Sequence, residues 1–242
     1  LRIEFQEMHS TFNTYKFILS LSIVCAFLLS LTNSMLKDKQ LYNIEVDRQK
    51  NVLKCAGFSV ESLSNNEIVD YYKSSIKEKV ISLNGSSTDF TIGELSVVEN
   101  KSTGQLNYFK DNNEYLPIYE YSKNGVLENY IIPISGKGLW STLYGFISLS
   151  NDFVYVKGIT FFKHGETPGL GGEVDNPNFQ KQFVNKKIFN ENNEFVSVSV
   201  VKPGIAKGDY EVDGLSGATI TCNGLTIFLK NDLNRYKDFF SI

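Results

Sequence analysis

The sequence predicts an α+β fold: one domain with a largely antiparallel sheet and flanking helices, preceded by a single N-terminal transmembrane helix. Three observations carry this. Residues 17–36 contain no charged side chain. Runs of aromatic and β-branched residues bounded by turn residues recur between 130 and 201, the composition of half-buried strands. Leu225, Phe228, Leu229, Leu233 and Tyr236 repeat at helical spacing, giving one apolar face to a C-terminal helix. No internal repeat or low-complexity linker divides the rest, so a tail (1–16) and an anchor (17–36) lead into one domain (37–242).

A twenty-residue helix over 17–36 extends about 30 Å, the thickness of a bilayer's hydrocarbon core. Ser20, Ser22, Ser30, Thr32, Asn33 and Ser34 make it only moderately apolar, so a cleaved secretory signal competes with an anchor. The thin basic region before it and the lack of a clean Ala-x-Ala site favour the anchor. Arg2 and Lys16 precede the span, whereas Lys37, Lys39, Arg48 and Lys50 follow it, a charge bias that points the domain inward.

From Asp47 to about Lys79, Val52, Leu53, Ala56, Ile68, Val69, Tyr72 and Ile76 recur at spacings near three and four, which predicts two short helices. Residues 82–115 are rich in Asn, Ser, Thr and Gly, and Phe90, Ile92, Leu95 and Val97 suggest one short strand there. Residues 130–134, 144–149 and 153–161 read as strands, with Asn151-Asp152 as a hairpin turn between the last two. Residues 195–201 alternate apolar and small polar side chains, the pattern of a half-buried strand. The closing helix is expected to start near Thr221 or Cys222.

Composition narrows the function. The 242 residues are 42% hydrophobic, enough for an ordinary core. A net charge of −3 with mixed signs gives no basic stripe for nucleic acid. His9 and His164 with Cys25, Cys55 and Cys222 show no metal-ligand spacing, so no metal is assigned. The cysteines read as free thiols, with a Cys55–Cys222 bridge left open in an oxidising compartment. No Gly-x-Gly-x-x-Gly fingerprint marks an NADH site, and no catalytic residue is assigned.

Two glycine-rich segments remain. Asp213-Gly214-Leu215-Ser216-Gly217-Ala218-Thr219-Ile220-Thr221 exposes two threonine hydroxyls just before a helix. It reads either as a capped turn or as an anion site at a helix N-terminus. His164-Gly165-Glu166-Thr167-Pro168-Gly169-Leu170-Gly171-Gly172-Glu173 must be a tight loop. It either shields a sheet edge or presents backbone N–H groups to a ligand, and His164 is either scaffold or acid–base.

The Asp213–Thr219 segment resembles the Asp-x-x-Ser/Thr-Gly-Ala-Thr flavinylation motif of FMN-binding domains and matches it at every key position. With it, the His164–Glu173 block and Gly138-Leu139-Trp140-Ser141-Thr142-Leu143-Tyr144-Gly145 are similar, in order and spacing, to the C subunits of the Na+-translocating NADH:quinone oxidoreductases. The likeness is strong over most of 125–230 and weaker in the anchor and residues 51–58.

The resemblance implies FMN carried as a phosphoester on Thr219, with Thr221 the nearby competitor. It implies cofactor contacts from Ser216, Gly217, Ala218, Leu139, Trp140, Glu166, Thr167, Leu170 and Gly171, with Gly171 and Gly172 lying against the flavin. Trp140 either walls the ring or sits in the core, and Lys202 either pairs with the phosphate or is solvated. A cytoplasmic N-terminus, a single pass through a bacterial inner membrane and a periplasmic FMN-binding domain are implied too, against the charge bias. So are a flavin transferase for maturation and, as partners, the other members of a membrane complex of six subunits. In that complex electrons pass from NADH through FAD and iron–sulfur centres to this FMN and on towards ubiquinone, coupled to Na+ export. The G subunit of the related Rnf complex shares Ser-Gly-Ala-Thr and one anchor, so the 138–145 block and the long N-terminal half carry the distinction. A membrane-anchored flavin-binding sensory module is the third reading.

Overall fold

A computed structural model of the chain describes residues 11–240; the first ten residues of the expected tail, His9 among them, lie outside the described residues. Helix α1, Thr11–Cys55, runs without a break through the expected anchor and through the first of the two short helices expected after Asp47. Its sequence holds no proline or glycine, so nothing interrupts the hydrogen-bond ladder. Gly57, at φ +93°, ends it, with Phe58 N–H returning to the Leu53 carbonyl at 3.0 Å as in a glycine C-cap. The chain divides into two compact units, one up to Asp47 and one from Arg48. In the first, Phe17, Leu19, Phe27 and Leu29 are exposed, and the helix is long and apolar enough to cross a membrane.

In the second unit, the end of α1 buries Val52, Leu53 and Cys55 and accepts hydrogen bonds from Thr160 at Asn51 O (3.4 Å) and from Asn129 at Ala56 O (3.2 Å). Helix α2, Asn65–Ser75, starts at a capping box between Ser64 and Glu67. It is shorter than the expected segment, because Ile76 already pairs with Tyr121 in strand β1, Ile76–Ser82.

Strands β2 (Ser96–Glu99), β3 (Leu106–Lys110), β4 (Asn113–Lys123), β5 (Val126–Lys137), β6 (Thr142–Ser150) and β7 (Val156–Lys163) lie in that order in one sheet, with β1 also paired to β4. All these pairings are antiparallel. Residues 82–115 therefore hold more strand than expected. Asp111 and Asn112 at φ 50° and 63° make the tight β3–β4 turn, and Asn124-Gly125 at 53° and 79° the β4–β5 turn, both with the two positive φ values of a type I′ hairpin. Phe90 and Ile92 lie outside any strand and pack on Val80, Leu95 and Tyr108.

The expected Asn151-Asp152 hairpin turn is a longer connection, 151–155, because Phe153 takes φ 58° with its ring buried and β7 begins only at Val156. The expected strand 195–201 shortens to β8, Ser199–Val201, since Ser197 sits at φ 65°. Strand β8 pairs in parallel with β9, Glu211–Asp213.

Helix α4, Thr219–Arg235, packs Leu225, Phe228, Leu229 and Leu233 into the main core, the face read from the sequence, but starts two residues before the expected Thr221. The short helices α3, Pro177–Lys181, and α5, Lys237–Phe240, complete the shell. Any side chain at Gly136 would collide with Phe228, and one at Gly224 with the Lys137 carbonyl oxygen, so these glycines let α4 lie directly on β5. Buried Asp232 accepts the Ser135 N–H at 2.7 Å and the Gln105 amide at 2.8 Å. Together these contacts fix where the N-terminus of α4 emerges. Cys55 and Cys222 are buried free thiols and form no bridge to one another; burial pushes the pKa of each up.

Candidate functional site

The segment between β9 and α4 places two threonines in opposite environments. Thr219 is the first residue of α4 and is exposed. Thr221 is 1% exposed and donates its hydroxyl to Glu166 Oε2 at 2.7 Å. Of the two threonine hydroxyls, only that of Thr219 is open to a group arriving from outside. It sits at the end of the helix where backbone N–H groups lack intrahelical partners and the dipole is positive. Before it, Ser216 is exposed, Ala218 is buried, and Gly217 adopts φ +74° with Leu170 Cδ2 2.8 Å from where a Cβ would stand. The positive φ selects glycine there, whereas Leu170 Cδ2 is the end of a flexible side chain, and the contact brings the 164–173 loop over the threonine motif.

Glu166 organises the other side. Its Oε1 accepts the N–H groups of Trp140 and Ser141, each at 2.9 Å, and the Ser141 hydroxyl at 3.1 Å. Its Oε2 accepts the Leu139 N–H at 3.1 Å besides Thr221. Burial alone would raise this carboxyl, but donation from Thr221 and the three N–H groups outweighs it and holds the pKa below the ordinary value. Glu166 is 5% exposed and spends its oxygens on the protein. It holds the β5–β6 turn and the start of α4 together, where the sequence suggested a polar contact to the cofactor.

That turn projects Leu139 and Trp140, 45% and 72% exposed, so Trp140 is not a core residue. Leu170 is exposed nearby on its own loop. Thr167 uses its carbonyl to accept the N–H groups of Leu170 (3.2 Å) and Gly172 (2.9 Å), closing the loop. His164 accepts the Glu166 N–H at Nδ1, 3.3 Å, and lies 3.5 Å from Asp175 through Nε2, the scaffold reading. Lys202 is exposed and shares with Thr219 a cavity of about 480 Å³, also lined by Leu215, Cys222 and Asn223. Sequence reasoning missed Ser141 and Asn223. Ser141 lay inside a block already singled out, whereas nothing in the sequence pointed to Asn223.

Gly171 and Gly172 are buried and face the protein, contrary to the expectation that they lie against a ligand. A Cβ at Gly171 would stand 2.7 Å from Thr221 Oγ1 and 2.9 Å from Glu166 Oε2. Gly171→Val should therefore destabilise by about 1–3 kcal/mol through overpacking and lower the melting temperature by several degrees. A thermal melt superimposing on wild type would show that the Thr221–Glu166 contact yields freely.

The pattern of the family described as FMN-binding domain matches residues 138–234, which hold the Glu166 loop, both blocks and Thr219. Over 227 residues the chain is 34% identical to the C subunit of the Na(+)-translocating NADH-quinone reductase of Haemophilus ducreyi, covering 89% of this chain and 87% of the relative. The chain belongs to this family of C subunits. Its counterpart from Vibrio anguillarum is 35% identical over 222 residues, covering 86% and 84%. Among solved structures, the counterpart from Parabacteroides distasonis superposes with a TM-score of 0.72 at 32% identity, covering 86% of this chain and 98% of that one. Members of the family are parts of an oxidoreductase complex, and the antiparallel sheet with flanking helices is their fold.

Proposed function

We propose that the chain is the membrane-anchored, FMN-carrying subunit of a Na+-translocating NADH:quinone oxidoreductase, with FMN esterified through its phosphate to Thr219. The observation that carries this reading is the contrast between an exposed Thr219 hydroxyl at the start of α4 and a buried, already bonded Thr221. The residues present fit the group. Thr219 supplies the ester oxygen, the α4 N-terminus and Lys202 favour a phosphate, and exposed Leu139, Trp140 and Leu170 offer apolar and stacking contact to a ring. Bound FMN supplies one-electron exchange with neighbouring redox centres.

The ester forms when Thr219 Oγ1 bonds to the flavin phosphorus of a donor whose phosphate is activated as an anhydride. The anhydride P–O bond breaks, the nucleotide leaves with the bridging oxygen, and the hydroxyl proton passes to solvent. This chain's part is to present the hydroxyl and neutralise the phosphoryl group, while a Mg2+-dependent flavin transferase supplies the activation. In this reading residues 17–36 of α1 anchor the chain in a bacterial inner membrane, the N-terminal tail is cytoplasmic and the domain is periplasmic. The other five members of the complex deliver and remove electrons in step with Na+ export. Similarity through 89% of the chain, the N-terminal half included, favours this over the Rnf G subunit.

Intact mass of the chain from its own host tests the reading: the expected increment is one FMN less one water. Expressed in a host without the transferase, the chain should fold and remain colourless. Covalent flavin in that host would show self-catalysed attachment and overturn the division of labour.

A further inference from the structure

Asp213, the first residue of the threonine motif, does not line the Thr219 cavity, yet it is fixed from several sides. Its backbone pairs with Val201 across the β8–β9 sheet and exchanges two hydrogen bonds with the Gln182 amide, at 3.0 Å and 3.3 Å. Its carboxylate points to the loop after β8, where Oδ1 accepts the N–H groups of Ile205 and Ala206, both at 3.0 Å. That loop closes on itself through the Ile205 N–H to the Lys202 carbonyl at 3.3 Å. Lys202, Pro203 and Ile205 form one wall of the cavity, and Thr219 stands on another.

We infer that Asp213 is a positioning residue for covalent flavin attachment: its carboxylate latches the 202–206 loop so that Lys202 faces the phosphoryl group arriving at Thr219. This rests on the reading of Thr219 as the acceptor and assigns work to two residues around it. Chemistry decides between this role and a direct one. Oδ1 is turned to two backbone donors of the 202–206 loop, and Asp213 stands outside the lining of the cavity that holds Thr219, so its carboxylate acts on the loop rather than on the hydroxyl. The latch needs only an acceptor oxygen at that place, which an asparagine also has, whereas proton abstraction or metal binding needs the negative charge.

The test is the rate of flavin attachment to the full chain by the transferase, followed by in-gel fluorescence, with a thermal melt of each variant. Lys202→Gln should slow attachment about tenfold, the scale of one charge-assisted contact, with an unchanged melt. Asp213→Ala should slow it at least as much, and the double variant should be no slower than Asp213→Ala alone, since the two changes remove one interaction. Asp213→Asn should restore most of the rate.

An Asp213→Asn variant as slow as Asp213→Ala would overturn the latch in favour of the charge itself. So would additive effects in the double variant, or a wild-type rate in Lys202→Gln. If Asp213→Ala fails to fold, the Asn variant and Lys202→Gln still decide. A wild-type chain that takes no flavin would instead remove the reading of Thr219, an outcome distinct from a modified wild type with an indifferent Asp213.

Discussion

Thr219→Ala is expected to abolish covalent flavin while the domain stays folded. The side chain is exposed at the first position of α4 and makes no capping hydrogen bond, so its loss should change stability by no more than about 0.5 kcal/mol. Attachment has no substitute hydroxyl. Ser216 is exposed but lies before the helix, on the far side of Gly217, and Thr221 is buried with its proton committed to Glu166. Flavin fluorescence of the denatured protein in a gel reads the outcome. Thr221→Ser, which keeps the hydroxyl that Glu166 accepts, is the control and should stay fluorescent. Undiminished fluorescence in Thr219→Ala would move the ester elsewhere and take the proposed function with it.

Where side-chain period and burial coincide, the sequence was legible. The Leu225, Phe228, Leu229 and Leu233 face of α4 is buried as its spacing requires, and the β-branched runs of β5, β6 and β7 lie in the sheet. The errors share a physical origin in backbone states that residue type alone announces weakly. Ser197 and Phe153 at positive φ cut short two expected strands, and such conformations are uncommon for residues other than glycine, asparagine and aspartate. Strands β3 and the start of β4 carry Asn, Lys and Glu, so their hairpin signal lay in Asp111-Asn112 rather than in hydrophobicity. In the site, the residue types were visible and their roles were not. Glu166 stands 25 residues from Ser141 and 55 from Thr221 in sequence. Only the fold shows that these donors converge on its carboxylate and leave none of it for a ligand.

That convergence makes Glu166→Gln the most damaging conservative change. An amide has one acceptor oxygen, so in either orientation its NH2 group faces donors the carboxylate satisfied. Placed at Oε2, it opposes the Leu139 N–H, while the Thr221 hydroxyl can rotate to accept; placed at Oε1, it opposes the N–H groups of both Trp140 and Ser141. A buried donor left without a partner costs about 1–3 kcal/mol, and hydrogen bonds to a neutral oxygen are about 1 kcal/mol weaker than those to a charged one. The sum is about 2–4 kcal/mol, a fall in melting temperature on the order of 10 °C for a unit of this size. The β5–β6 turn should loosen with it, so that Trp140 fluorescence changes. The pH dependence separates this from simple loss of packing. Because the folded pKa of Glu166 is depressed, its contribution is fully present above the unfolded value of about 4.3 and is lost as pH falls through the folded pKa. The glutamine variant has no such proton to bind. The melting-temperature gap between wild type and Glu166→Gln should therefore be widest at neutral pH and narrow as the solution is taken towards pH ~3. A gap that stays constant over that range would mean that the carboxylate's charge contributes nothing and that shape alone holds the turn against α4.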